Sequence, residues 1–325
     1  MGRIEEGGLM NGLEISEAYF QEYGMPMLRD KFSELMPHVA AGLFGSGSEC
    51  FGFDDELSRD HDFDPGFMLL LPGEEVVDRK QEFALERAYA ALPKEFMGVE
   101  RPKMAPVGGL RRGVIRLADF LTDKTGSPTG KLTVEQWFAV PSHALAEMVN
   151  GKVFYDGSGD LTRIREDLAR YPEDVRRKKL AGHLLLAAQA GQYNYTRCLK
   201  HGETGAAQLA VIAFAQSAME AVFLLNGAYQ PFYKWRFRAM RALPKLSIEA
   251  ELLEYLITTD NEGQLAQEKY EVIEGIAADI IGELSSQGLT KANCGDLEKH
   301  AYSVNDGITD SNLRNLHIQI GRAHV

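Results

Sequence analysis

Apolar residues follow two different periods in the first 150 residues of the chain. Between Pro26 and Pro37 they recur at helical spacing, which predicts an amphipathic helix. Two short apolar runs bounded by glycine or proline, Val39 to Phe44 and Phe67 to Leu71, predict buried strands. The pattern becomes helical again from Val76 to Leu92, and further apolar segments follow at 114–117 and 132–138. This half of the chain therefore mixes strands and helices.

After Gly151 the strand signals nearly vanish and helical periodicity dominates. The clearest case follows Leu265, where isoleucine and leucine residues form one stripe that ends before Gly288. We therefore predict an α+β chain of two domains, with a small mixed β-sheet in residues 1–150 and an all-helical bundle in residues 151–319. The helices predicted in the second domain span 161–170, 175–190, 203–226 and 248–258.

Composition and charge narrow the choice of partners. The chain has 325 residues, of which 45% are hydrophobic, and its net charge is −12, which opposes non-specific binding to nucleic acid or anionic membranes. Its three cysteines are too few and too far apart for a disulfide framework or a zinc cluster. The start of the chain has no apolar run of a signal peptide. We expect a cytoplasmic protein.

The segment from Ala206 to Leu225 is the most membrane-like part of the chain. It also contains Gln208, Gln216, Ser217 and Glu220, which a lipid-facing span rarely tolerates. We therefore predict a buried helix of a soluble bundle rather than a membrane span.

The segment from Gly45 to Asp64 contains the residues with the most informative chemistry. Gly45, Ser46, Gly47 and Ser48 follow a predicted strand, and a turn of this composition can present N–H groups and hydroxyls to phosphate oxygens. Asp60 and Asp62 alternate ahead of the next predicted strand, so an extended segment would direct both carboxylates to one face. Paired carboxylates of this kind bind Mg²⁺ beside a triphosphate.

These residues resemble the nucleotidyltransferase superfamily, whose pattern is a Gly-Ser turn, about a dozen residues, and then Asp-x-Asp ahead of a strand. The chain is most similar to a bacterial family of nucleotidyltransferase-like proteins that has the strings Gly-Ser-Gly-Ser-Glu-Cys and Ser-Arg-Asp-His-Asp. The similarity extends into the second half of the chain, in three strings that start at Gly151, Tyr171 and Tyr229.

The resemblance implies a polymerase-beta-like fold in which Asp60 and Asp62 ligate Mg²⁺, or Mn²⁺, and a nucleoside monophosphate is transferred from a nucleoside triphosphate to an acceptor hydroxyl. A small-molecule acceptor is the leading hypothesis, and protein and RNA are the variants. A third carboxylate is expected as a catalytic base or metal ligand. The predicted strand at 114–117 has Arg116 in its middle, so Asp119 and Asp64 are the two options.

Basic and aromatic residues after the long apolar helix form a second group of interest. Lys234 lies in the family-like string from Tyr229 and forms a cluster with Arg236 and nearby aromatic residues. This cluster would either contact phosphate or stack on a base, or simply pack a helix end. The basic run at 176–179 is interpreted as an exposed helix face. Both interpretations of Lys234 stay open on the sequence.

Other interpretations compete with the enzyme. Asp60 and Asp62 would also suit a capped turn. A chain that lacks the third carboxylate would be a nucleotide-binding regulatory protein, for example a toxin–antitoxin component. Hydrolysis at a histidine-rich metal site is disfavoured because the eight histidines lack ligand spacing. Residues 320–325 match one reading frame of a common sequencing adapter, so we expect a non-native tail there.

Overall fold

The computed structural model describes residues 10–55, 64–101 and 112–322, and it confirms the α+β class. Its strands are β1 (Ala40–Leu43), β2 (Met68–Leu71), β3 (Glu95–Phe96), β4 (Val99–Glu100), β5 (Gly113–Arg116) and β6 (Lys152–Asp156). Its α-helices are α1 (Gly12–Tyr19), α2 (Met25–Lys31), α3 (Arg79–Ala90), α4 (Leu117–Thr125), α5 (Val134–Ala139), α6 (Ser142–Val149), α7 (Asp160–Asp167), α8 (Glu173–Ala187), α9 (Thr196–Lys200), α10 (Thr204–Leu225), α11 (Arg236–Arg241), α12 (Glu249–Thr258), α13 (Gly263–Ser286), α14 (Leu297–Asp306) and α15 (Ser311–Asn315).

The main sheet is small and mixed, with strand order β5-β2-β1-β6. β1 runs antiparallel to both β2 and β6, whereas β2 and β5 are parallel. In the β1–β2 register Ala40 lies opposite Leu70 and Gly42 lies opposite Met68. The end of β1 and the start of β2 therefore meet at the same edge of the sheet, which is where the Gly-Ser turn begins.

The two central strands are buried along their whole length. Their side chains pack with those of α1, α2 and α3 in an apolar core that includes Tyr19, Phe20, Leu28, Phe67 and Leu85. α3 starts with a capping box, in which Asp78 accepts from the backbone N–H of Gln81 and the Gln81 side chain accepts from that of Asp78. Burial of these apolar faces is the main source of stability for the sheet.

Inter-residue contacts divide the chain into two compact units. The first comprises Met1–Leu132 and Ala144–Ala169, and the second comprises Thr133–His143 and Arg170–Val325. The predicted boundary near residue 150 falls within the first unit, because β6 pairs with β1. This pairing joins residues more than 100 positions apart, which local periodicity does not reveal.

Two sequence-based predictions need correction. β6 is a strand in a region that was predicted to be all-helical. The helix predicted between Pro26 and Pro37 ends at Lys31, because Phe32 leaves helical geometry with φ −141° and ψ 36°. A separate 3₁₀ turn, Met36–His38, then leads the chain toward β1.

The second unit is helical in the residues that the structure describes. Its core is centred on the 22-residue helix α10, and the predicted stripe of α13 is buried at Ile273, Ile276, Ile280 and Leu284. α10 is long and apolar enough to cross a membrane by composition, yet 61% of its most apolar window is buried inside the protein. This burial is typical of the core helix of a soluble bundle.

Candidate functional sites

The Gly-Ser turn follows directly after β1 and depends on its glycines. Gly45 has φ +117°, a backbone conformation that side chains disfavour. Gly47 lies against the carboxylate of Glu49, so that a Cβ at this position would come within 2.3 Å of Glu49 Oε1. Ser46 is exposed at the tip of the turn, whereas Gly45 and Gly47 are buried.

Three successive backbone N–H groups of the turn have no acceptor among the described residues. No described residue accepts a hydrogen bond from the backbone N–H of Ser46, Gly47 or Ser48, whereas the following residues Cys50, Phe51 and Gly52 donate back to carbonyls at positions 47–49. Successive N–H groups in a glycine-containing turn form a concave anion site. This arrangement suits phosphate oxygens.

Two polar side chains hold the base of the turn from the opposite side. Asn150 accepts a hydrogen bond from Gly45 N at 2.9 Å and donates to Gly45 O at 2.7 Å. Arg165 donates to the carbonyls of Met148, Val149 and Asn150, and its guanidinium lies over the Phe44 ring. Burial lowers the pKa of Arg165 to about 10, so it stays charged at neutral pH. These hydrogen bonds attach the base of the turn to the end of α6 and the loop that follows it.

Arg112 connects the turn to the segment that enters β2. Its Nη2 lies 3.0 Å from Glu49 Oε1, and both side chains are less than one-tenth exposed. Its Nε donates to Gly66 O at 3.1 Å and lies 3.9 Å from Asp64 Oδ1. Asp64, the first described residue after position 55, is therefore close to the Gly-Ser turn.

Of the four acidic residues that were predicted as site residues, the structure describes two, Asp64 and Asp119. Asp60 and Asp62 lie outside the described residues. Asp64 uses Oδ1 to accept from Gly66 N at 2.6 Å as well as to face Arg112. Asp119 lies in the first turn of α4 and is exposed. Within residues 10–55, 64–101 and 112–322, no three His, Cys, Asp or Glu side chains form a metal-binding group.

Arg116 occupies the strand position where a third carboxylate was sought. It donates to the carbonyls of Pro72 and Val77 and forms a 2.6 Å ion pair with Glu82. This side chain therefore stabilises the junction between β2, β5 and α3.

The basic residues singled out from the sequence separate in the structure. Lys234 is exposed on the 3₁₀ turn Tyr233–Trp235, with Nζ 5.0 Å from the centroid of the Trp235 ring. The run at 176–179 is not an exposed helix face, because Lys178 and Lys179 are buried. Lys178 donates to Asn305 and to the carbonyls of Arg314 and Leu316. The partners of Lys178 are distant in sequence and Lys179 lies over the Phe138 and Tyr171 rings, so the charge run alone was misleading.

A cavity of about 320 Å³ lies within the second unit. One wall is a stripe of α10 comprising Ala213, Gln216, Ser217 and Glu220. Since residues three and four apart share a helix face, this spacing groups the polar residues of an otherwise apolar helix. The opposite wall comes from α8 and from the π-helical segment Ala188–Tyr195 that continues it.

Three charged side chains line this cavity: Lys179, Glu220 and Arg236. From the sequence, Arg236 was only a member of the basic cluster around Lys234, and Lys179 and Glu220 were not identified as site residues. Glu220 was noted only as an argument against a membrane span. Burial raises the pKa of Glu220 to about 7, although Lys179 and Arg236 oppose the shift. Burial also lowers the pKa of Lys179 and of Arg236, against the opposing effect of Glu220. A glutamate at helical spacing from Gln216 was the available signal.

Comparison with known proteins gives one family match. Residues 137–236 match a family model described as a domain of unknown function (DUF4037). No curated protein and no solved structure matches the chain. All residues that line the 320 Å³ cavity lie within the matched range, from Pro141 to Arg236. The match therefore covers the cavity and ends at one of its charged residues.

Proposed function

We propose that the chain is a cytoplasmic, Mg²⁺-dependent nucleotidyltransferase that moves a nucleoside monophosphate from a nucleoside triphosphate to an acceptor hydroxyl. The observation that supports this best is the Gly-Ser turn at the end of β1, with three N–H groups that have no acceptor among the described residues and a base anchored by Asn150. The motif resemblance to nucleotidyltransferases supplies the reaction, and a small molecule is the preferred acceptor.

The residues present fit a metal only in part. Asp60 and Asp62 are the proposed ligands, and carboxylates at this spacing fit a hard cation. Asp64, two residues after Asp62, lies beside Arg112 and close to the turn, but its Oδ1 is already bound by Gly66 N. When bound, Mg²⁺ would neutralise triphosphate charge and stabilise the leaving pyrophosphate.

The protein's own residues supply binding and orientation. The N–H groups of residues 46–48 and the hydroxyl of Ser46 bind phosphate oxygens, and the Asn150 clamp keeps this turn fixed. The Glu49 carboxylate would repel a phosphate, but its ion pair with Arg112 neutralises it. The turn thus binds an anion without prior rearrangement.

The test is mass-resolved triphosphate turnover with Mg²⁺ and a cell-extract acceptor pool. Wild type should release pyrophosphate and add a nucleotide mass to the acceptor, and Asp60→Ala/Asp62→Ala should abolish both. Asp123→Ala, exposed on α4, is the matched control and should keep full activity. Release that persists in the double variant would contradict the proposal.

A regulatory protein that binds nucleotide without turnover is the second candidate. It is favoured by the absence of a carboxylate on β5, by the structural role of Arg116 and by the engagement of Asp64. Comparing Asp64→Asn with Asp119→Asn tests the two candidates for the third carboxylate. If either variant lowers turnover while triphosphate binding persists, that residue is the third carboxylate. Tight binding in wild type with no product would favour the regulatory protein.

A further inference from the structure

The charged groups that line the cavity in the second unit do not satisfy one another. No described residue accepts a hydrogen bond from Lys179 Nζ, which instead lies over the rings of Tyr171 and Phe138 at 5.3 and 5.7 Å. Among the described residues Glu220 forms no ion pair within 4.0 Å, and neither Lys179 nor Arg236 does so. Three buried or half-buried charged side chains thus line the cavity without forming ion pairs with one another.

Two further donors in the same cavity lack acceptors. Gln230 is only 1% exposed, and its Nε2 has no hydrogen-bond partner among the residues that the structure describes. The same holds for Arg236 Nε. Gln230 is fixed in place by its backbone N–H, which donates to Ser142 Oγ at 2.8 Å. Because an unsatisfied buried donor costs about 1–3 kcal/mol, these positions call for an acceptor from a bound molecule.

Among the described residues, the unpartnered groups of the cavity include three donors and one acceptor, the Glu220 carboxylate. Lys179 Nζ, Gln230 Nε2 and Arg236 Nε are donors, so the complementary ligand carries acceptor oxygens. Two cations and one carboxylate give the lining a formal charge of +1, which a single negative charge would neutralise. The Glu220 carboxylate would repel a doubly charged anion such as hydrogen phosphate.

The volume of the cavity and the apolar side chains in its walls fit an organic ligand. A volume of about 320 Å³ falls in the range of small-ligand sites, and Leu186, Ala190, Ala213 and the Tyr171 ring supply apolar surface. The π-helical segment Ala188–Tyr195 supplies part of the wall, and such segments are frequent at functional sites. Gly191 keeps it close to the core, since a Cβ there would meet the Phe214 ring at 2.4 Å.

We propose that this cavity binds a small organic carboxylate, with the carboxylate held by Lys179, Arg236 and Gln230 and the organic body against Tyr171 and Leu186. Glu220 selects against dianions and accepts a donor group of the ligand where one is present. This site is distinct from the phosphate-binding turn, and the proposal needs no transferase activity.

The test is calorimetric titration of the full chain with benzoate and acetate, alongside benzamide and inorganic phosphate. At least one carboxylate should bind saturably, with a Kd of roughly 1 mM or below for a ligand of this size. Benzamide, which matches benzoate in shape without the charge, should bind at least tenfold more weakly. Phosphate that binds more tightly than both carboxylates, or no saturable carboxylate binding at all, would overturn the proposal.

Variants distinguish binding in the cavity from binding to charged residues on the protein surface. Lys179→Met keeps an unbranched side chain, one atom shorter and without the charge, and together with Gln230→Leu it should weaken carboxylate binding at least tenfold. Lys200→Met removes an exposed lysine outside the cavity and should change nothing. Glu220→Gln removes the repulsive charge and should tighten binding at pH 8. Equal affinity in Lys179→Met and wild type, or weaker binding in Glu220→Gln, would contradict the assignment.

Discussion

The Gly-Ser turn and the cavity of the second unit differ in whether their charged side chains are paired within the protein. Around the turn, the buried Arg112 pairs with Glu49 and reaches toward Asp64. In the cavity, the side chains of Lys179, Glu220 and Arg236 line one space, and none of them forms an ion pair within 4.0 Å or a side-chain hydrogen bond with another described residue. The charged side chains around the turn are therefore paired within the protein, and the turn offers backbone N–H groups and the Ser46 hydroxyl to a ligand. In the cavity, the charged side chains are left for a charged ligand to pair.

This difference has energetic consequences. Breaking a completed buried ion pair leaves an uncompensated charge and is strongly destabilising. Removing a buried charge that has no partner deletes a desolvation cost instead. Substitutions in the two regions should therefore differ in both the size and the sign of their effect on stability.

The largest effect is expected at Arg112. Arg112→Met leaves the Glu49 carboxylate buried without its cation and should lower the free energy of unfolding by about 3–5 kcal/mol, measured by urea denaturation. Adding Glu49→Gln should recover part of the loss, because the orphaned charge is then gone. A loss below about 1 kcal/mol in the single variant would contradict the claim that the Arg112–Glu49 ion pair stabilises this region.

A smaller, pH-dependent effect is expected at Glu220. Its folded-state pKa is raised to about 7, so its contribution to stability is fully present below its ordinary pKa and is lost as the pH rises through 7. Wild type should lose stability between pH 5 and pH 8, and Glu220→Gln should lose about 1–2 kcal/mol less. Unfolding measured at the two pH values checks this, and identical pH slopes in both proteins would contradict it.

The smallest effect is expected at Lys179. Lys179→Met should change the free energy of unfolding by about 1 kcal/mol or less, because the ammonium has no acceptor among the described residues and a thioether keeps the contact with the Phe138 and Tyr171 rings.

The matched control is its neighbour Lys178, which donates three hydrogen bonds. Lys178→Met should cost about 2–4 kcal/mol, since it leaves buried acceptors unsatisfied. Equal losses in the two lysine variants would show that Lys179 is held by the protein in the same way.

The features that were predicted correctly are those that a local sequence pattern determines. The strands at Ala40–Leu43 and Met68–Leu71, the α10 and α13 helices and the Gly-Ser turn were all visible as periodicity or composition. β6 was missed because its pairing with β1 is a long-range contact. The α+β class therefore followed from the sequence, while the interleaved units did not.

The cavity was beyond sequence reasoning for a related reason. Lys179 reads as part of an exposed basic run, and Glu220 reads as a lone polar residue in an apolar helix. Only the packing of α8 against α10 brings them to one space and buries both. The contacts of Arg112 and Asn150 with the turn likewise depend on segments more than 60 residues away.

The most direct test of the account is a paired titration with Mg-ATP and with benzoate, in wild type, Ser46→Glu and Lys179→Met. Ser46 is exposed, so a glutamate there adds negative charge at the phosphate site, and Ser33→Glu is the exposed control. Ser46→Glu should weaken Mg-ATP binding about tenfold or more and leave the affinity for benzoate unchanged. Lys179→Met should weaken benzoate binding and leave the affinity for Mg-ATP unchanged. Unchanged Mg-ATP affinity in Ser46→Glu would contradict the central claim that the Gly-Ser turn binds the triphosphate.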